Sequence, residues 1–317
     1  MTEVKKLLFG VDESDFSRAS LQAVGELTAK DRRFHISVLH GVPDPRILFS
    51  KFAHLRKEDV EENMERMREE AKHCMDKAVE GLIQAGVEKE NVAALLQEKC
   101  SDPAWSMVDF AEAQGFHAIG AARFGASTIG RHPIGSVSYR LACASETFPV
   151  WIVDHRVRSR NILLSLVGGP VGQRIIDHAT RYFSHLSDSR FTLFHVIQPL
   201  SLKADRFEEF LTRCSSEKER LGLMENMNLQ AKRAEEVLEE GKRKLMKAGI
   251  PEQNIELKAE MQDQGVARDI LAELEKGDYG MLVAGRKESS TAKQFGLGSK
   301  AYKLLCAARA FMICLVN

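Results

Sequence analysis

Two short stretches of this chain could present main-chain amides to an anion. Gly135-Ser136 and Gly298-Ser299 each stand at the head of a segment with helical periodicity. Glycine lets a ligand approach the main chain closely, and the first amides of a helix have no partner inside it. Phosphate oxygens can accept from those amides and from the serine hydroxyl, in the favourable field of the helix dipole. Gly-Ser before a helix is also an ordinary capping sequence, so its neighbours must decide. Two other segments offer polar groups at strand-like ends. Val11-Asp12-Glu13-Ser14 supplies a carboxylate, and Leu39-His40-Gly41 supplies an imidazole and a glycine. Asp12 also suits the start of a turn or a helix cap, Gly125 and Gly135 suit loop geometry, and His40 and His195 read as structural histidines. Arg123 and Arg286 either reach toward phosphate or sit exposed on loops.

Other chemistries lack their signatures. There is no G-x-x-x-x-G-K-[ST] loop, and no G-x-G-x-x-G follows either first strand. Gly168-Gly169-Pro170 follows a strand without the further glycines a dinucleotide turn requires. No Ser-His-Asp or Cys-His arrangement stands out, and an efficient enzyme is not expected. The six cysteines are scattered without a C-x-x-C pair, which argues against a disulfide framework or zinc site and for a reducing, cytoplasmic setting. Cys143 and Cys306 lie on apolar helix faces and are expected to be buried thiols. Lys plus Arg and Asp plus Glu each number 45. That balance offers no overall field toward nucleic acid or an anionic membrane. The longest apolar runs are strand-sized, and Met1 to Lys6 leads straight into a strand, so neither a membrane span nor a signal peptide is expected.

The elements that must position these residues occur twice. Lys5–Ser14 aligns with Arg160–Gly169, and Ser37–Asp44 with Thr192–Pro199, at one offset of 155. A longer connection in the second copy raises the offset to 163, which then holds without a gap from Asn91/Asn254 to Val153/Val316. That stretch contains 15 identities, among them Arg123/Arg286, Gly135/Gly298, Ser136/Ser299, Tyr139/Tyr302 and Phe148/Phe311. Average composition would give about 4. The chain therefore reads as two domains, 1–155 and 156–317, each long enough for its own core.

Within each copy, short apolar runs alternate with helical periodicity, the pattern of an α/β fold with a parallel sheet covered by helices. Strands are expected near 6–11, 36–42, 92–97, 118–121 and 150–153, and again near 162–167, 191–197, 255–259, 281–284 and 313–316. Asp102-Pro103 followed by Ala104, Met107, Val108 and Ala111 predicts a capped helix with a proline at its first position. Long charged helices are expected near 57–85 and 217–248. Met64, Met67, Ala71, Cys74, Ala78 and Leu82 form the inward stripe of the first. The seven-residue joint Asp154–Arg160 spans at most about 25 Å, which predicts neighbouring domains. Its basic run reads as a solvated linker.

In an open parallel sheet, ligands bind beyond the carboxyl ends of the strands, where the strand order reverses. There the loop from Ala121 to Arg140 carries Ala122, Gly125 and Gly135-Ser136. This spacing resembles the glycine, two residues, glycine, nine residues, Gly-Ser pattern of ATP-binding universal stress proteins, with the first glycine replaced by alanine. The second copy has Gly285, Glu288 and Gly298-Ser299, its second glycine replaced by glutamate. Asp12 matches the family's aspartate at the end of strand one, where the second copy has Val167. Leu39-His40-Gly41 and Phe194-His195-Val196 echo its strand-two ending. The resemblance covers nearly the whole chain, twice.

It implies the adenine nucleotide alpha hydrolase-like fold: five-stranded, mostly parallel sheets with helices on both faces. It also implies an adenine nucleotide (ATP, ADP or AMP, with Mg bridging phosphates) in the first copy. Asp12 and Gly41 would meet the nucleoside, and Ala122, Gly125, Gly135, Ser136, Val137 and Ser138 the ribose and phosphates. Alanine at 122 is harmful only where a positive φ or very close approach is needed. In the second copy, Glu288 would repel phosphates and Val167 offers no acceptor, so nucleotide binding is expected to be lost there. A stress-response binding or regulatory protein is the leading reading. A weak ATPase switch and a small-molecule or protein-interaction module without nucleotide are the alternatives. The last strand of each copy lies where the family pairs edge to edge, so the copies are expected to pair with each other, with homodimerisation left open.

Overall fold

The computed structural model describes residues 3–46, 56–126, 133–198, 216–286 and 296–317. The chain divides into two compact units between Arg158 and Ser159, with Gly296 and 309–314 counting with the first and the remaining described C-terminal residues with the second.

The first unit runs β1 (Lys5–Gly10), α1 (Asp15–Thr28), β2 (Phe34–Pro43), α2 (Lys57–Gln84), β3 (Val92–Cys100), α3 (Pro103–Gln114), β4 (Ala118–Ala122), α4 (Ser136–Ala144) and β5 (Val150–Val153). Its strand order is β3-β2-β1-β4-β5. Every pairing is parallel, with Leu7 opposite Ile36 on one side and Ala118 on the other. Leu7, Leu8, Phe9, Ile119 and Trp151 are fully buried. Helices on both faces demand this continuous apolar run in the central strands. Edge strand β3 is instead exposed or half-buried along its length except at Cys100. The order reverses where β1 lies between β2 and β4, so a crevice must open at their carboxyl ends.

The second unit repeats the plan: β6 (Ile162–Ser165), α5 (Pro170–Phe183), β7 (Phe191–Ile197), α6 (Glu217–Lys247), β8 (Ile255–Met261), α7 (Val266–Lys276), β9 (Met281–Gly285), α8 (Ser299–Ala307) and β10 (Met312–Val316). Its order is β10-β9-β6-β7-β8, with β6 parallel to β7 and β9 and β7 parallel to β8. Both units thus realise the expected α/β architecture, with strand ends within a residue or two of the sequence pattern except at β3, which runs three residues longer. The long helices differ. Val60, Met64, Ala71, Cys74, Ala78 and Leu82 bury α2 along its length, whereas α6 is buried only from Ala234 onward and exposes Leu221, Met224 and Leu229.

The α3 terminus forms as its residues dictate. Asp102 accepts from the amides of Ala104 (2.9 Å) and Trp105 (3.3 Å), Pro103 occupies the first helical position, and Gly115 ends the helix at φ 65°. Asp102 also pairs with Arg140 on α4. Asp102→Ala should lower stability by about 0.5–2 kcal/mol, the usual cost of a lost cap. Urea denaturation measures it, and an unshifted midpoint would show the cap to be idle.

Candidate functional site

The crevice predicted by the topology is a cavity of about 540 Å³ in the first unit, within the range of small-molecule sites. The end of β1 contributes Asp12 and Glu13, the end of β2 contributes His40 and Gly41, and the end of β4 contributes Ala122. The β4–α4 loop adds Gly125, and the start of α4 adds Gly135, Ser136, Val137 and Ser138. All eight residues singled out in the sequence line this one space. Ser17, Cys100, Pro103, Met107 and Phe124 line it as well. No local motif marks them. Cys100 and Met107 are brought in by the parallel register of β3 and the packing of α3.

Each predicted residue has a definable environment. Gly135 stands before α4 in an extended conformation (φ −64°, ψ 147°), so Ser136 opens the helix. Among the described residues nothing accepts from the Ser136 or Val137 amides, which leaves them directed to the crevice side of the helix start. Ser138 differs from expectation in detail. Its hydroxyl is buried and donates to the Ala122 carbonyl at 2.6 Å, locking α4 to β4. Ala122 lies in regular strand with a negative φ, so its methyl group introduces no backbone strain. A side chain at Gly41 would sit 2.9 Å from Cys100 Sγ, which explains the glycine. Burial pushes the Cys100 thiol pKa up, so it is a packing residue and a poor nucleophile.

Asp12 is held by the protein itself. Its Oδ1 accepts from the Ser14 amide (3.1 Å) and hydroxyl (2.5 Å), and its Oδ2 accepts from the Ala126 amide (2.9 Å). The cap of α1 is Ser14, which accepts from the Ser17 amide. His40 places Nε2 3.7 Å from Glu13 Oε1, while its Nδ1 is buried without a hydrogen-bond partner. The sequence reading of a satisfied structural histidine therefore does not hold for that nitrogen. Among the described lining residues there is no lysine or arginine; the positive potential comes from the α4 N-terminus.

Arg123 is neither exposed nor in reach of the cavity. It is buried to within 1 % and paired with the equally buried Asp154 at 3.4 Å, and it donates to the Pro133 carbonyl at 3.1 Å. Its backbone accepts from the Gly135 amide and donates to the Val153 carbonyl. One residue thus fixes the base of the loop and the entry to α4. Burial alone would raise the Asp154 pKa, but hydrogen bonds from Arg156 and from backbone amides bring it down to about 2. The counterpart Arg286 is also buried, and donates to Asn317, which stands where the first unit has Asp154.

The described residues of the second unit are arranged differently at the corresponding strand ends. Gly298 and Ser299 open α8 as their counterparts open α4. A side chain at Gly285, the counterpart of Ala122, would meet Val171 of α5 at 2.4 Å. A cleft of about 260 Å³ lies instead between α5 and α6, lined by Val167, Gln173, Glu240 and Lys244 but by neither Gly298 nor Ser299. His195 is half-buried and its pKa is lowered by desolvation. Glu288 lies outside the described residues. Cys143 and Cys306 are half-buried; the five described cysteines are free thiols. No three potential metal ligands gather among the described residues, and no described helix is long and apolar enough to cross a membrane.

Comparison with known proteins supplies the context. No curated protein matches the sequence. Over 100 % of this chain and 97 % of its own, a universal stress protein from Archaeoglobus fulgidus DSM 4304 superposes with a TM-score of 0.62 at 14 % identity. A candidate universal stress protein from Pseudomonas aeruginosa UCBPP-PA14 does so over 99 % and 93 % with a TM-score of 0.58 at 11 % identity. At such identities these likenesses establish the fold. The sequence model of the universal stress protein family matches residues 3–154, the segment that contains the 540 Å³ cavity. By that match, the first domain of the chain is a universal stress protein family domain.

Proposed function

We propose that the chain is a stress-response binding or regulatory protein whose first domain takes an adenine nucleotide in the 540 Å³ cavity. The observation that carries this reading is the meeting of three distant segments, ending at Asp12, Gly41 and Ser136, around the open amides of a helix start. A phosphate set against Ser136 and Val137 gains unpaired donors and the helix field. The base and ribose face a mostly apolar wall that includes Met107 and Phe124. Asp12 and Glu13 bring negative charge to the same space, which favours either a single phosphate or a polyphosphate neutralised by Mg²⁺. The second domain, with Val167 and Val171 at the corresponding place, acts as a structural partner without a nucleotide.

Calorimetric titration of ligand-free full-length protein with AMP, ADP and ATP, each with and without MgCl₂, tests the proposal. One nucleotide per chain is the expected stoichiometry, with Mg²⁺ strengthening ATP binding and leaving AMP unaffected. Absence of heat with all three would remove the nucleotide reading; two sites per chain would overturn the assignment to the first domain.

A further inference from the structure

Three residues around the start of α1 form a closed hydrogen-bond circuit with one outlet. The Asp12 amide donates to Ser17 Oγ (3.1 Å), the Ser17 amide donates to Ser14 Oγ (3.1 Å), and the Ser14 hydroxyl donates to Asp12 Oδ1 (2.5 Å). The outlet is Asp12 Oδ2, which accepts from the Ala126 amide of the β4–α4 loop. Gly125 belongs to the same arrangement. A side chain there would stand 2.3 Å from Asp12 Oδ2, so the carboxylate can reach Ala126 only past a glycine.

The duplicated domain shows what happens without this circuit. At the offset of 155, Asp12, Ser14 and Ser17 correspond to Val167, Gly169 and Gly172, and Gly125 corresponds to Glu288 in the other alignment block. All three circuit members and the accommodating glycine differ together. The consequence is visible at Gly172. A Cβ there would lie 1.8 Å from the Val167 carbonyl oxygen and 3.0 Å from its carbon, so α5 rests directly on the strand end. Gly169 makes the turn with φ 76°, where the first unit uses a capping serine. In the first unit the space between helix and strand end is occupied by the buried Ser17 side chain, on the cavity wall.

We propose that the Asp12–Ser14–Ser17 circuit is a spacer that holds α1 off the end of β1 and keeps the cavity open. Asp12 is a positioning residue that ties the β4–α4 loop to that spacer through Ala126. Gly125 is glycine because of the carboxylate, whatever else it does for a ligand. The inference rests on the nucleotide reading only in naming the cavity a binding site.

The test transplants the second domain's residues into the first of the full-length chain, as Asp12→Val with Ser14→Gly and Ser17→Gly. The variant should fold, since the second unit folds with those residues, yet lose AMP binding by more than about a hundredfold, with a crystal structure showing the cavity closed. In a double-mutant cycle, Gly125→Ala should weaken AMP binding about tenfold in the natural background and less than about twofold beside Asp12→Val. Asp12→Asn keeps an acceptor oxygen and should preserve slow hydrogen exchange at the Ala126 amide, whereas Asp12→Val should accelerate it. Equal effects of Gly125→Ala in both backgrounds, or an open cavity in the transplant, would overturn the spacer. If the natural protein binds no AMP, the nucleotide reading falls, while amide exchange and the transplant's cavity still decide the spacer.

Discussion

Asp154→Ala should destabilise the first domain by about 3–5 kcal/mol, the cost typical of stranding one member of a buried ion pair. Both side chains are inaccessible to solvent, at 0 % exposure for Arg123 and for Asp154. Removing the carboxylate leaves a guanidinium that cannot lose its proton and cannot reach water. Arg156 would lose its two guanidinium contacts with Asp154, each of 2.9 Å, and its amide contact of 3.0 Å. The milder substitution is indicated by the protein's own second half, where Asn317 sits beside Arg286. Asp154→Asn should therefore cost clearly less than Asp154→Ala. Denaturant unfolding monitored at the buried Trp151 gives both values, and equal costs would refute the role assigned to the residual acceptor. The pH dependence has a definite sign. The folded pKa of Asp154, about 2, lies below the ordinary carboxylate value of about 3.9. Its contribution is complete above that unfolded value and is lost as pH falls toward 2. The acid limb of the natural protein's stability curve should flatten in Asp154→Asn.

Ser136→Pro should abolish most nucleotide binding while leaving the fold intact. Proline is well suited to the first helical position, and the preceding Gly135 is already extended, as a residue before proline must be. No intrahelical hydrogen bond is lost, because the first amides of a helix have none. The substitution does remove two donors from the cavity, the amide and the hydroxyl. Hydrogen bonds to charged groups are worth about 1.5–3 kcal/mol each, so affinity should fall by about a hundredfold or more. Ser299→Pro is the internal control. Gly298 is extended in the same way, yet that helix start faces no cavity among the described residues, and binding should be unchanged. A Ser136→Pro protein with undiminished affinity would place the phosphate elsewhere.

Much of this was legible in the residues. Gly135-Ser136 and Gly298-Ser299 mark helix starts because glycine and serine favour caps. Asp12, Gly41 and the 122–138 set meet on one cavity because parallel order brings strand ends to one edge. What was not legible depended on side-chain reach. The residue type of Arg123 suits a phosphate contact or an exposed loop, and no local pattern reveals that Asp154, thirty-one positions on, lies within 3.4 Å. Ser138 was placed among the phosphate contacts, yet its hydroxyl turns back to Ala122. Cys100 and Ser17 enter the cavity wall through strand register and helix packing, which spacing along the chain cannot convey.

The sequence alone determined the duplication, the α/β class and the edge of the sheet where a ligand could sit. These follow from hydrophobic period and local backbone preference, properties of short segments. Only the tertiary structure decided which side chains wall the 540 Å³ cavity of the first unit. Ser17 reaches that wall from α1 and Cys100 from the end of β3, placements set by contacts between segments and not by any segment itself.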